Sequence, residues 1–307
     1  MFRVALLTLD DRSAYVIDDD LAIAELRARG WQVAEVPWRR AGVQWRSFDA
    51  VVIRTTWDYQ HDLDGFLSVL ADIEATGVTL ANPVALVRWN ARKTYLRDLA
   101  ARGVDIVPTL WGTGLSATEV RRWGDAFGCD ECVVKPTVSA NAHDTYRVAR
   151  DLDEAAVAHL VERFTGREWM AQPFVRSVPT EGEYSVFYFG GMRSHAIVKR
   201  PKPGDFRVQE EHGGLIAGIA ADDVLVAAAD RVMAALDTVP LQARVDLVRL
   251  DDGTLALMEL EAIEPSLYFR TDSLAAGHFA DALERLVGGA HRGQRGIETG
   301  GTPAAHG

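Results

Sequence analysis

Charged side chains alternate with apolar ones on both sides of the dipeptide Asp252-Gly253. This dipeptide favours a two-residue type I′ hairpin, because both central residues of that turn need a positive φ. Such a turn places Asp246 opposite Glu259 and Arg244 opposite Glu261, with all four side chains on one face of the hairpin. The pattern therefore predicts a cluster of three acids and one arginine on two neighbouring strands.

The apolar residues of the hairpin agree with this register. It pairs Val245 with Leu260, Leu247 with Met258, and Val248 with Leu257. A three-residue bulged turn would change the register, so the facing of the acids depends on the type of turn.

Two carboxylates directly opposite each other, such as Asp246 and Glu259, destabilise a sheet by up to about 1 kcal/mol, and by more when partly buried. A cation between them would remove the repulsion. Hard oxygen ligands on adjacent strands suit Mg²⁺, which keeps several waters and also binds substrate phosphates. The cluster thus favours a magnesium and nucleotide site, although a solvated hairpin face neutralised by Arg244 would show the same pattern.

The composition excludes several classes of protein. The chain has 307 residues, of which 48% are hydrophobic and 25% charged, as in ordinary globular proteins of about two domains. A net charge of -11 repels phosphate backbones, so we expect no nucleic-acid partner. No apolar stretch approaches the roughly 18 residues of a membrane span, and the first residues do not resemble a signal peptide. We therefore expect no membrane partner and a cytoplasmic location.

The cysteines are two in number, Cys129 and Cys132. A zinc site would need further Cys or His ligands at matching spacing, and a thioredoxin-like pair should open a helix. Cys132 instead begins an apolar run. We interpret both as ordinary strand and loop residues, with a redox protein as the remaining alternative.

The order of apolar patterns predicts two kinds of fold along the chain. The first part is typical of an α/β unit with a parallel sheet, with strands at 3–9, 31–36 and 48–54 and helices at about 62–76 and 92–102. A capping box at Ser116–Glu119 then opens an α+β region. Its expected elements are a strand at 131–136, antiparallel strands within 168–215, a helix at 221–236, the hairpin strands, and a closing helix near 273–288.

Several common catalytic motifs are absent from the sequence. It has no glycine-rich dinucleotide loop after the first strand, no P-loop, no His-Glu-x-x-His and no Gly-x-Ser-x-Gly. Phosphate, if bound, must therefore be bound by lysines and arginines on strands and loops.

Three segments together resemble the ATP-grasp superfamily of carboxylate-amine ligases: the acid hairpin, Arg88–Tyr95 and Val133–Pro136. The resemblance extends over about residues 1–288. The resemblance implies an N-terminal Rossmann-like pre-ATP-grasp domain of α/β type, followed by a two-subdomain ATP-grasp fold of α+β type. The expected divisions are an N-terminal domain at 1–88, ATP-grasp subdomains at 89–173 and 174–290, and a flexible tail at 291–307.

The resemblance also implies ligands and the residues that bind them. Magnesium, as one or two ions with Mn²⁺ possible in its place, would be held by Asp246, Glu259 and Glu261, the last standing where Asn is commoner in the family. ATP would be bound by Lys93, Lys135, Ser139, Ala140, Gln172, Phe174 and Glu183. Residues 137–146, which follow Lys135, contain no glycine where the family's lid is usually glycine-rich.

In this family a substrate carboxylate takes the γ-phosphoryl group of ATP, and an amine-type nucleophile attacks the resulting acyl phosphate. The resemblance assigns Lys199 and Arg207 to the transferred phosphoryl group, while Arg244 is placed to stabilise the oxyanion of the second step. A small amino-acid-like substrate would be bound by Asp10, Arg54, Thr55, Trp57, Asp58, Glu264 and Ser266.

Within the superfamily, the segments Asp205–Arg207 and Glu259–Leu267 are most similar to D-cycloserine synthetase-like ligases. That resemblance implies intramolecular ring closure of O-ureido-D-serine. An intermolecular peptide or amide ligase of small amino acids is the alternative, and a nucleotide-binding regulatory protein without turnover is an alternative from another class. Relatives are commonly dimers, so a homodimer is expected.

Overall fold

A computed structural model describes residues 1–139 and 142–298 of the chain, and in this part the strands form three sheets. The strands are β1 (Arg3–Thr8), β2 (Gln32–Pro37), β3 (Ala50–Thr55), β4 (Thr79–Ala81), β5 (Leu110–Thr113), β6 (Glu131–Pro136), β7 (Tyr146–Ala149), β8 (Glu168–Pro173), β9 (Glu183–Phe189), β10 (Met192–Arg200), β11 (Leu215–Ile219), β12 (Gln242–Arg249) and β13 (Leu255–Glu261). The helices are α1 (Asp19–Ala28), α2 (Leu63–Ala75), α3 (Val84–Asn90), α4 (Tyr95–Ala101), α5 (Ala117–Phe127), α6 (Glu154–Arg163), α7 (Asp223–Ala234) and α8 (Ala275–Glu298).

The first sheet is parallel, with the strand order β2-β1-β3-β4. β1 and β3 are almost entirely buried, as expected for parallel strands covered on both faces. Helices α1 and α8 pack on one face, and α2 and α3 pack on the other. This is the α/β unit that the first part of the sequence predicts.

The other two sheets are antiparallel, and they face each other across the cleft described below. One has the order β5-β8-β6-β7 and packs on α5 and α6. The second has the order β11-β10-β9-β12-β13, with α4 and α7 on its outer face. On its inner face, one end contacts α8, and other side chains, among them Lys199 and Asp246, line the cleft. The predicted change from α/β to α+β is confirmed.

The hairpin between β12 and β13 differs from its predicted form. The turn has three residues, because the Leu250 N–H donates to the Thr254 carbonyl at 2.8 Å and Gly253 takes φ 87°. Leu247 consequently pairs with Leu257, not with Met258. The predicted type I′ turn and the predicted apolar pairs on its side of the hairpin are therefore wrong.

A β-bulge at Met258 restores the predicted register farther from the turn. Asp246 pairs with Glu259, Val245 with Leu260, and Arg244 with Glu261. The unpaired Met258 offsets the extra residue of the turn, so the charged cluster lies as predicted although the turn does not.

Two helix predictions also need correction. The helix expected at 92–102 is shorter and is preceded by a separate helix, α3, which contains Arg88, the expected domain boundary. The closing helix extends to Glu298, so it enters the segment 291–307 that the composition predicted to be a tail. The division into domains at 88, 173 and 290 stays a prediction.

Buried polar side chains join the first sheet to β12. Gln242 donates to the carbonyls of Ile53 and Ile263 at 2.7 and 3.1 Å, and it accepts from Arg54 at 3.0 Å. Asn82 donates to the carbonyls of Gln242 and Ala262 at 3.0 and 2.7 Å. Such groups are costly to bury unpaired, so the network fixes how the sheets meet.

Candidate active site

A cleft of about 1420 Å³, counting the space at its open mouth, lies between the two antiparallel sheets and is closed on one side by loops of the first. Most of the residues predicted to bind ligands line it. They are Trp57, Lys93, Lys135, Ser139, Gln172, Phe174, Glu183, Lys199, Arg207, Arg244, Asp246, Glu259, Glu261, Glu264 and Ser266.

Asp246 is the most enclosed acid of the predicted metal cluster, with 2% of its side chain exposed. Its carboxylate accepts hydrogen bonds from Ser185 Oγ at 2.6 Å and from Arg244 Nη2 at 2.8 Å, and Lys199 Nζ lies 3.1 Å away. Burial alone would raise the pKa of Asp246, but Arg244 and Lys199 outweigh it and hold this pKa below its usual range. Asp246 is therefore a fixed negative charge that orients two cations.

Glu259 extends farther into the cleft, with 26% of its side chain exposed. Lys93 Nζ lies 2.8 Å from its Oε1 and also donates to the Ser139 carbonyl at 2.7 Å. Burial would raise the pKa of Glu259, but Lys93 and Lys135 lower it below its ordinary value, so the side chain is ionised. Lys93 thus joins the acid strand to the beginning of the predicted lid.

Lys135 differs from the other lysines of the cleft. Within the described part of the chain, no carboxylate oxygen lies within 4 Å of its ammonium group. Burial, opposed by Glu259, lowers the pKa of Lys135. A half-buried cation without its own carboxylate partner is suited to bind an anionic group that enters the cleft.

Glu261 accepts from Arg244 Nη2 at 2.5 Å, and 29% of its side chain is exposed. Burial raises the pKa of Glu261 to about 7; Arg244 opposes this increase, and the charges of Asp246 and Glu259 add to it. Near neutral pH the cluster therefore carries less negative charge than three ionised acids would give.

These acids fit magnesium only in an open arrangement. Among residues 1–139 and 142–298, no three Asp, Glu, His or Cys side chains come close enough to enclose a metal ion by themselves. Mg²⁺ is usually held by one or two carboxylates together with waters and substrate phosphates. Glu259 and Glu261 provide two partly exposed carboxylates on adjacent positions of one face of β13. The donors present fit that mode of binding, and the assignment of Asp246, Glu259 and Glu261 as the ligands stays a prediction.

The pair Lys199 and Glu183 lies beside Asp246, on β10 and β9. Lys199 Nζ is 2.5 Å from Glu183 Oε1, and both side chains are buried. Although burial and Arg244 lower the pKa of Lys199, the acids Asp246 and Glu183 outweigh them, so this pKa lies above its usual value. Lys199 remains charged, as its predicted role at a phosphoryl group requires.

The predicted adenine side of the cleft is formed by β8 and the segment after it. Gln172 is buried and donates to Thr109 Oγ1 at 3.1 Å. The Arg147 guanidinium lies 3.9 Å from the centroid of the Phe174 ring. The Phe206 ring packs against Phe174 edge to face. Phe174, Phe206 and Gln172 thus line one side of the cleft, and the binding of adenine there stays a prediction.

Arg207 points into the cleft from the loop between β10 and β11. It is bound to Asp205 at 2.8 Å, and this contact, opposed by slight burial, holds the pKa of Asp205 well below its usual range. Because 37% of the Arg207 side chain is exposed, its guanidinium is accessible from the cleft.

Four predicted substrate residues are not brought to the cleft. Arg54 is 2% exposed and is bound by Asp19 at 2.7 Å, in the network that joins two sheets. Thr55 is completely buried, Asp10 is exposed elsewhere, and Asp58 accepts from Trp38 at 2.7 Å. Among the residues predicted in the loop that follows β3, Trp57 lines the cleft. The predicted phosphate-loop residue Ala140 lies outside the described residues.

Residues that were not predicted from the sequence hold the acid strand β13 in place. Asn90 Nδ2 donates to the Leu260 carbonyl at 2.9 Å, and the Ala262 N–H donates to Asn90 Oδ1 at 2.9 Å. Tyr95 Oη accepts from the Leu260 N–H at 2.8 Å. β13 is an edge strand, so its outer backbone groups need partners from elsewhere. The segment Arg88-Trp-Asn lies close in sequence to predicted site residues, and this closeness was the signal available for finding Asn90.

Cys132 lies on β6, and Cys129 lies in the loop before it. Their sulfur atoms are 3.6 Å apart, and both are free thiols. In the described part of the chain no His, Cys, Asp or Glu completes a ligand set around them. Their interpretation as strand and loop residues agrees with this geometry.

Known proteins resemble this chain along most of its length. It is 32% identical over 308 residues to the cycloserine biosynthesis protein DcsG of Streptomyces lavendulae, an alignment that covers 92% of this chain and 98% of DcsG. The chain belongs to the DcsG family of ATP-grasp ligases. The family model for the N-terminal domain of D-cycloserine synthetase DcsG matches residues 4–82. Members of this family are ATP-dependent ligases that form C–N bonds, and this chain is one of them.

Solved structures agree with the DcsG assignment. The crystal structure of D-cycloserine synthetase DcsG superposes with a TM-score of 0.81 at 34% identity, covering 92% of this chain and 99% of that one. D-alanine–D-alanine ligase from Bacillus anthracis, solved with ATP, gives a TM-score of 0.66 at 16% identity, covering 97% and 100%. The ATP-grasp ligase PsnB, solved with a precursor variant, Mg and ADP, gives 0.64 at 18%, covering 92% and 98%. The last two show the shared ATP-grasp fold, which the sequence predicted.

No helix in the described ranges is long and apolar enough to cross a membrane.

Proposed function

We propose that this DcsG-family ligase uses ATP and Mg²⁺ to activate the carboxylate of a small amino acid, and that its reaction is the ring closure of O-ureido-D-serine. The observation that carries the proposal is the 32% identity to a cycloserine biosynthesis protein across almost the full length of both chains. The cleft supports it, because its acids and cations are arranged as phosphoryl transfer to a carboxylate requires.

The cations of the cleft perform the first step by position. Lys135, Lys93 and Lys199 surround the space in front of Glu259, where the phosphates of ATP would lie. Mg²⁺, held by Glu259 and Glu261 with the phosphates, would supply charge neutralisation of the transferred group. One oxygen of the substrate carboxylate attacks the γ-phosphorus, ADP leaves, and the product is an acyl phosphate.

Arg244 is placed for the second step. Its guanidinium is fixed by Asp246 and Glu261, and it donates at 3.3 Å to the carbonyl of Ser266, at the substrate end of the cleft. A substrate nitrogen attacks the acyl carbon, an oxyanion forms beside Arg244, and phosphate leaves as the carbonyl reforms. For ring closure the nitrogen belongs to the same molecule. Water must also remove the carbamoyl group from that nitrogen, as carbon dioxide and ammonia, to give D-cycloserine.

The test is phosphate and ADP release with a single amino-acid substrate. O-ureido-D-serine alone should stimulate Mg²⁺-dependent release of ADP, and mass spectrometry should detect the ring product. If release instead requires a second amine, the condensation of two molecules replaces ring closure. If no small amino acid stimulates release, catalysis of this kind is excluded and the regulatory alternative gains support. Sedimentation would test the predicted homodimer.

A further inference from the structure

Among the described residues that line the cleft, Glu264 is a buried acid without a cationic partner. Its side chain is 8% exposed and lines the cleft on the side of the N-terminal sheet. The other buried acids of the cleft, Glu183 and Asp246, both contact Lys199. For Glu264, the described ranges contain no Lys, Arg or His nitrogen within 4 Å of the carboxylate. A desolvated carboxyl group in this position lacks the charge that would compensate its burial.

The backbone that carries Glu264 is rigidly held. The carbonyl of Glu264 accepts from Trp57 Nε1 at 2.8 Å, that of Pro265 accepts from Arg54 at 3.2 Å, and that of Ser266 accepts from Arg244 at 3.3 Å. Three consecutive carbonyl groups are thus anchored by three donors from different elements. The backbone position of Glu264 at the edge of the cleft is therefore set before any ligand binds.

Aromatic rings stand beside this acid. Trp57 and Tyr15 meet edge to face with their centroids 5.0 Å apart, and both line the cleft with Glu264. Ring faces attract cations, most strongly when water is excluded. A carboxylate and an aromatic wall in one corner are the features of a site for a substituted ammonium ion rather than for an anion.

The location also fits the chemistry of an α-amino acid. The charged groups that most affect the pKa of Glu264 are Glu261, Lys93 and Glu259, which belong to the predicted phosphoryl-transfer corner. In an α-amino acid the ammonium group is one carbon from the carboxylate. A substrate whose carboxylate faces the phosphates would therefore place its ammonium group within reach of the adjacent acid.

We propose that Glu264, with the aromatic wall of Trp57 and Tyr15, binds the α-ammonium group of the substrate and thereby selects amino acids over carboxylic acids that lack this group. Glu264 is a binding and specificity residue in this assignment, and the reacting atoms lie elsewhere. The inference rests on the proposed function, because it needs an amino-acid substrate in this cleft.

The pKa of Glu264 is consistent with this role. Burial first, and then the charges of Glu261 and Glu259, raise the pKa of Glu264 well above its usual value, against the opposing effect of Lys93. A cationic group bound beside it would favour the ionised carboxylate.

The experiment compares two substrates in wild type and in Glu264→Gln. One substrate is O-ureido-D-serine, and the other is its analogue with hydrogen in place of the α-amino group. Wild type should prefer the amino compound in kcat/KM by about 10- to 100-fold, the range of a hydrogen bond to a charged group. Glu264→Gln should lose this preference through a higher KM for the amino compound, with kcat/KM for the analogue and the affinity for Mg-ADP unchanged.

Glu211→Gln is the matched control, because it removes one negative charge from an exposed side chain on the same cleft. It should retain the preference. If Glu264→Gln does not fold, Glu264→Asp provides the same test, and it should keep the preference with a raised KM. An amino preference that survives in Glu264→Gln overturns the ammonium site while the proposed function stands. If no amino acid stimulates ADP release by wild type, the proposed function fails, and the site is overturned with it.

Discussion

Replacing Asn90 with alanine should destabilise the protein and disturb the strand that carries Glu259 and Glu261. The Asn90 side chain is 7% exposed and makes two hydrogen bonds of 2.9 Å, one to the Leu260 carbonyl and one from the Ala262 N–H. Alanine would leave these two backbone groups without partners in a buried position.

Each unsatisfied buried group costs about 1–3 kcal/mol, so the free energy of unfolding should fall by about 2–6 kcal/mol in Asn90→Ala. Small to medium-sized proteins are stable by only about 5–15 kcal/mol. Urea denaturation, followed by tryptophan fluorescence, would measure the change. Because the edge of β13 would also lose its anchor, the concentration of Mg²⁺ that gives half-maximal ADP release should rise in the same variant.

Gln32→Ala is a suitable control, because Gln32 is an exposed side chain on β2 and its truncation should change stability by less than about 0.5 kcal/mol. The reasoning is refuted if Asn90→Ala unfolds at the same urea concentration as the wild type. It is also refuted in part if stability falls as expected but the magnesium dependence does not move, since the anchor would then have no effect on the acids.

Three further predictions concern single side chains. Glu259→Gln should weaken Mg²⁺-dependent ADP binding by about tenfold or more, because it removes one of two exposed carboxylates of the cluster; calorimetry would show this, and unchanged affinity would contradict it. Ser185→Ala should lower the free energy of unfolding by about 1–3 kcal/mol, because Asp246 loses a buried donor at 2.6 Å. Urea denaturation would measure this decrease, and an unchanged midpoint would contradict the prediction. Burial lowers the pKa of His195 to about 4, from about 6.5 in the unfolded chain. The unfolded state therefore binds a proton first as the pH decreases. The free energy of unfolding should fall by up to about 3 kcal/mol between pH 6.5 and pH 4. His195→Gln should show a shallower decrease over that window, and an equal slope would show that other groups cause it.

The sequence was sufficient for the fold class and for most of the cleft. Lys93, Lys135 and the hairpin acids were found because charged residues on apolar strands are conspicuous and their family has a specific order of motifs. The type of turn at Asp252-Gly253 was not found. Leu257 and Met258 are both apolar, so the alternation of residue types does not reveal which of them is the extra residue of the bulge.

Arg54 shows why substrate residues were harder to predict. An arginine at the end of a parallel strand is equally compatible with an open ligand site and with a buried ion pair. Its partners Asp19 and Gln242 lie 35 and 188 residues away along the chain, so no local sequence pattern predicts these contacts. Asn90 escaped for the same reason, because its partners are backbone groups, which carry no sequence signal.

The bulge at Met258 divides β13 into two parts of opposite phase. Leu255 and Leu257 face the core with Leu247, whereas Glu259, two positions farther along, faces the cleft. Met258 and Glu259 both reach the cleft although they are consecutive. A redesigned hairpin with a perfectly regular ladder would have to expose the leucines or bury the acids, so the irregular residue is what permits one short strand to serve both the interior and the chemistry.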